Sequence, residues 1–153
     1  MKGTLICPIA IAGTGKSTLA GDWAAKGAFP IDAIISLDVL RLQMTGNVAD
    51  QSANQALISV AATLVEQRLS RGLTVYMDST HLTEEARNWS ALRAQTFDAN
   101  LFWLHFNVSI EESLARNARR KLSVPDKVMK QQIHNYERIE WDRLPGVILE
   151  IPG

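Results

Sequence analysis

The chain has one cysteine, no long apolar run and no net charge, and each of these removes a class of function. Cys7 cannot close an internal disulfide, and in the apolar run 4–9 it reads as a buried, inert thiol. No apolar stretch approaches the roughly 18–20 residues that a membrane-spanning helix needs. The opening MKGTLICPIA carries a single lysine and runs straight into a predicted strand, without the apolar segment and cleavage site of a secretory signal. A cytoplasmic setting away from membranes is the expectation. Lys and Arg number 16, as do Asp and Glu. That balance argues against a protein that coats nucleic acid through overall charge. No repeat, linker or low-complexity segment divides the 153 residues, so a single domain spanning 1–153 is expected.

What is present is an alternation of strand-length apolar runs with segments of helical period. TLICPI (4–9), AIISL (33–37), LTVYMD (73–78), LFWLHFNV (101–108) and GVILEI (146–151) read as strands. A helix follows the first strand to about Lys26 and stops at Gly27, and a short helical piece starts at Asp38. The next helix puts Ala53, Ala56, Leu57, Val60, Ala61, Leu64 and Val65 on one predicted apolar stripe and ends at Gly72. Thr83 and Ser109 are predicted helix caps, and Pro125 opens a last helix to about Ile139. Apolar strands separated by helices predict an α/β domain, its parallel sheet covered on both faces. The site should then lie at the carboxyl ends of the strands.

The segment PIAIAGTGKST (8–18) meets the pattern G-x-x-x-x-G-K-[ST] at Gly15, Lys16 and Ser17, with Ala10 in place of the first glycine. In such a loop the backbone N–H groups point at phosphate oxygens and the following helix adds its dipole. Gly13, Thr14, Gly15 and Thr18 complete the predicted cradle. Lys16 would reach the β- and γ-phosphates, and the Ser17 hydroxyl would bind Mg²⁺. Alanine is tolerated at position 10 if its φ is negative. The loop therefore predicts an NTP donor, with ATP and Mg²⁺ as its ligands.

Three further groups point to an acceptor. In SLDVLR, a spacing of three puts Asp38 and Arg41 on one helical face. The carboxylate could take the proton of an attacking hydroxyl and the guanidinium grip an anion; the bland alternative makes Asp38 a plain helix cap. In YMDSTHL, Asp78 could hold Mg²⁺ through water, while Thr80 and His81 could line the acceptor site. RNARRKLSVP (116–125) reads as a mobile cover whose arginine would neutralise charge on a transferred phosphoryl group. Spacing alone leaves Arg116, Arg119 and Arg120 open.

Taken together, AGTGKST, Asp38–Arg41, Asp78–Thr80 and the 116–125 segment resemble the kinase domain of phage-type 5′-polynucleotide kinases. These belong to the adenylate-kinase-like branch of P-loop phosphotransferases. The resemblance implies a P-loop NTPase fold with a five-stranded parallel sheet and helices on both faces. It implies ATP-dependent transfer to the 5′-hydroxyl of a DNA or RNA end, with Asp38 as general base and Arg41 on the phosphate 3′ to that hydroxyl. Arg120 would be the lid arginine, on a helix marked by Arg116. His81 stands where the family usually has asparagine. A kinase of a small molecule (nucleoside, sugar acid or antibiotic) would use the same residues, and a non-catalytic NTP-binding module would need Lys16 but not Asp38.

Overall fold

The computed structural model describes all 153 residues. Five strands form one parallel sheet in the order β2-β3-β1-β4-β5. They are β1 (Thr4–Ile9), β2 (Ile34–Ser36), β3 (Thr74–Asp78), β4 (Asn100–Phe106) and β5 (Val147–Ile151). The helices are α1 (Lys16–Ala25), α2 (Leu37–Thr45), α3 (Asn54–Ser70), α4 (Glu84–Thr96), α5 (Ile110–Ala118) and α6 (Asp126–Glu137). Strand β1 is central, and its alternating side chains feed two cores. Leu5, Cys7 and Ile9 pack with buried residues of α3, α4 and α6, whereas Ile6 and Ala10 pack with Ala20 of α1 and with Tyr76. Both faces of the sheet are covered, as a parallel sheet requires. Burial pushes the Cys7 thiol up to about 12, so it is inert. No helix is long and apolar enough to cross a membrane.

The predicted start and stop signals act as read. Thr83 Oγ1 accepts from Ala86 N at 3.1 Å, and Ser109 Oγ accepts from Glu112 N at 3.1 Å. Gly27 and Gly72 end their helices with φ of 82° and 72°. The stripe on α3 is narrower than expected. Leu57, Ala61, Val65 and Leu69 are buried at strict spacings of four, while Val60 and Leu64 are exposed. One side of α3 meets the sheet and nothing covers the other, so apolar character alone over-counted its buried face.

The chain leaves β1 for β2 and β3 on one side and returns to β4 and β5 on the other. Its direction therefore reverses at β1, and the crevice at that strand's carboxyl end is where an open α/β sheet binds ligands. The glycine loop occupies that crevice.

Candidate active site

The loop after β1 turns through two left-handed glycines, Gly13 at φ 84° and Gly15 at φ 110°. A side chain at Gly13 would collide with the carbonyl of Ser113 on α5, so glycine is required there for space as well as for conformation. The loop is held from several directions. Thr14 Oγ1 donates to Ile11 O at 2.8 Å and lies 3.2 Å from Ser113 Oγ. Tyr76 donates its hydroxyl to Lys16 O at 2.8 Å, and Ala12 donates its N–H to Oε1 of Gln132 at 2.8 Å. Gln132 carries no signal in the sequence, because its partner lies 120 residues away.

A cavity of about 470 Å³ opens along Gly13, Thr14, Gly15, Lys16, Ser17 and Thr18, then continues past Asp22 to Phe106, Val108 and Ile151. Arg116 and Arg120 line it, whereas Arg119 turns to Glu112 at 3.6 Å and is 68% exposed. Arg116 donates to Thr14 O at 3.2 Å and to Glu112 at 3.0 Å. Of the three arginines left open by spacing, Arg116 braces the loop, Arg119 points elsewhere, and Arg120 faces the cavity with no ion-pair partner. The segment that carries Arg120 is anchored at its base. Buried Asn117 exchanges two hydrogen bonds of 2.9 Å with the backbone of Val124 and ties off the loop 118–123 at its base.

Ser17 donates to Asp78 Oδ2 at 2.6 Å, so the two predicted metal residues meet although 61 positions apart. Both offer hard oxygen donors, which suits Mg²⁺. No cluster of three or more His, Cys, Asp or Glu side chains surrounds them, so an ion here would take its remaining ligands from phosphate and water. Desolvation lowers the Lys16 pKa first, the Asp78 and Asp38 carboxylates oppose that shift, and Arg120 adds to it. One loop lysine thus feels both carboxylates and Arg120.

Asp38 lies in the first turn of α2, and the residue that caps this helix is Ser36, whose Oγ accepts from Val39 N at 3.3 Å. The Asp38 carboxylate is thereby free of capping and is 72% exposed. Arg41 lies 3.2 Å from Asp38 and 3.3 Å from Asn54 Oδ1. Its side chain is only 14% exposed, and its buried Nε has no partner. An orphaned guanidinium donor is costly unless a ligand satisfies it.

A second cavity, of about 220 Å³, adjoins these groups between β3, α3 and α4. Leu37 and Ser79, the neighbours of Asp38 and Asp78, lie in its wall with Met77, Thr83, Glu85 and Trp89. His81 is part of this wall, with its ring nitrogens turned to protein partners. Its Nδ1 lies 2.9 Å from Pro8 O and its Nε2 2.9 Å from Ser90 Oγ, and it packs edge-on to Trp103. Both nitrogens are committed, and burial drives its pKa down to about 4. His81 is a neutral tie between β1 and α4. Thr80 contributes its carbonyl to Ala10 N at 3.1 Å, and its hydroxyl makes no bond within the chain.

Three comparisons bear on this arrangement. No curated protein shows a significant sequence match. The fold resembles a gluconokinase from Sinorhizobium meliloti with a TM-score of 0.60 at 17% identity, over 98% of this chain and 83% of that one. It also resembles Kti12 of Chaetomium thermophilum, solved in complex with ADP-AlF3, with a TM-score of 0.62 at 16% identity over 95% and 88% of the two chains. Residues 9–139 match the AAA domain family. The chain belongs to that family and has its P-loop, kinase-like fold.

Proposed function

We propose that the protein is an ATP-dependent kinase that transfers the γ-phosphoryl group to a hydroxyl of a small molecule. The observation that carries this reading is the 220 Å³ cavity beside Asp38 and Asp78, which is lined by hydroxyls, apolar groups and one carboxylate but by no lysine or arginine. A single-stranded nucleic acid needs a cationic groove along its backbone, and the wall of this cavity supplies no lysine or arginine. A gluconokinase among the similar folds supports a small acceptor.

In this reading the loop from Gly13 to Thr18 cradles the phosphates, Lys16 bridges the β- and γ-groups, and Arg120 covers the transferring group. Bound Mg²⁺ would neutralise phosphate charge beside Ser17 and Asp78. Asp38 takes the proton of the acceptor hydroxyl as its oxygen bonds to phosphorus and the bond to the β-phosphate oxygen breaks, releasing ADP. Arg41, which lies 3.2 Å from Asp38, would hold an anionic group of the acceptor through its terminal nitrogens.

The Asp38–Arg41 pair also favours a second reading, a 5′-hydroxyl polynucleotide kinase, because it is that family's D-x-x-R in a real contact of 3.2 Å. The deciding experiment offers γ-labelled ATP to sugars, sugar acids, nucleosides, aminoglycosides and a 5′-hydroxyl oligonucleotide. Label should pass to one small class, and Asp38→Asn should slow it by about 10²–10⁴-fold with the melting temperature unchanged. Transfer to the oligonucleotide alone would establish the second reading instead.

A further inference from the structure

The bond from Ala12 to Gln132 has a chemical consequence for the transferring group. A backbone N–H can be accepted only by oxygen, so the Gln132 amide is oriented without ambiguity: Oε1 faces the loop. The amide nitrogen lies about 2.2 Å from that oxygen by covalent geometry. It makes no hydrogen bond within the chain and is not among the buried polar atoms left without a partner. The Gln132 amide nitrogen is therefore unpaired within the chain and not sealed from solvent.

The position of that nitrogen matters. The donor cavity runs from Gly13 towards Asp22, Phe106 and Val108, which makes the latter its nucleoside end. Ala12 follows Ile11, whose carbonyl accepts from Lys16 Nζ at 3.3 Å, so it lies at the end of the loop that the lysine reaches, where the terminal phosphoryl would sit. Its own N–H is consumed by Gln132 and is unavailable to phosphate. The side-chain amide replaces it as a donor, displaced towards the incoming acceptor. Gln132 also belongs to α6, the helix that follows the 118–123 loop and Arg120.

We propose that Gln132 is a phosphoryl-contacting residue, whose Oε1 fixes Ala12 while its Nε2 donates to an oxygen of the transferring group. This rests on the kinase reading above. The bond to a group of growing negative charge is worth most in the transition state, so the residue should act on kcat more than on ATP affinity.

The test needs no acceptor. Binding of ADP with Mg²⁺ is compared, with and without aluminium fluoride, which mimics the planar phosphoryl group. Wild type should bind the fluoride complex at least tenfold more tightly than ADP. Gln132→Glu keeps an oxygen for Ala12 but has no N–H. It should lose about ten- to a hundredfold of that margin, with ADP affinity within about twofold of wild type. Gln132→Met, similar in size and uncharged, should lose the same margin and, with the brace to Ala12 gone, melt at a lower temperature. Equal margins in wild type and Gln132→Glu would reduce the residue to a brace. A loss in Gln132→Glu that Gln132→Met does not share would mark simple charge repulsion. A wild type with no preference for the fluoride complex would overturn the proposal too. An acceptor panel without a product would defeat the kinase reading and leave this binding ratio standing as its own result.

Discussion

Ala10, where a phosphate-binding loop usually opens on glycine, has a negative φ and donates its N–H to Thr80 O at 3.1 Å. Its methyl group is buried beside Ala20 and Tyr76, so alanine fits and a glycine would leave a small void. His81 is the opposite case, a non-glycine residue at φ 49°. Asparagine and aspartate enter this left-handed region more easily than most residues, which fits the asparagine usual here in the resembling kinases. What keeps the histidine is its pair of bonds to Pro8 O and Ser90 Oγ. Those bonds hold a neutral ring whose pKa falls from 6.5 to about 4 on folding. Between these values the unfolded chain binds the extra proton, so stability is complete above pH 6.5 and declines as pH falls towards 4. The decline attributable to His81 is about 3 kcal/mol. Denaturant melts of wild type and His81→Asn across that window should show the wild-type curve falling more steeply by about this amount. Parallel curves would mean that His81 does not titrate on unfolding.

At the scale of elements, nearly every boundary was legible because it is written locally. Thr83 and Ser109 cap, Gly27 and Gly72 stop, and the apolar runs mark all five strands. What was not legible depends on pairs distant in sequence. The stripe on α3 could not reveal that Val60 and Leu64 face away from the sheet, and the sequence left open a capping role for Asp38 that Ser36 fills instead. The loop residues Gly13 to Ser17 were legible as a motif, whereas Gln132 and Ser113, which hold that loop, were not. Asn117 belongs to the same hidden class. It reads as one polar residue in a basic run, yet it closes the 118–123 loop through both backbone groups of Val124. Asn117→Ala leaves a buried donor and acceptor unsatisfied, which should lower stability by about 1–3 kcal/mol for each group not rehydrated. Hydrogen exchange should accelerate at Val124 and through 118–123, and the KM for ATP should rise as Arg120 loses its fixed base. Unchanged exchange in that loop would show that Asn117 does not restrain it.

Across the whole molecule, part of the positive charge is met by local acidic partners. In the basic run 116–121, Glu112 holds Arg116 and Arg119 and leaves Arg120 and Lys121 without an ion pair, while Arg68 pairs with Asp32 and Arg93 with Glu66. The cavity proposed for the acceptor carries Glu85 and no lysine or arginine in its wall, and Arg41 is the cation that pairs with Asp38. A single contact from Arg41 and a backbone-tracking groove differ in their response to salt. For a single strand, the logarithm of affinity falls with the logarithm of salt at a slope of about −0.7 for each phosphate neutralised. A small anionic acceptor held by Arg41 alone should show a slope no steeper than about −1, or a change of roughly fourfold at most between about 50 and 200 mM salt. Arg41→Ala should raise the KM for that acceptor about ten- to a hundredfold, the worth of one charge-assisted bond. It should also flatten the salt dependence. Arg41→Lys should recover part of the affinity, since an ammonium keeps the charge but not the forked geometry. The measurement is kcat/KM against salt for the accepted molecule, in wild type and both variants. A slope of −2 or steeper that survives Arg41→Ala would mean that several phosphates are being read, and would return the protein to the polynucleotide kinases its sequence resembles.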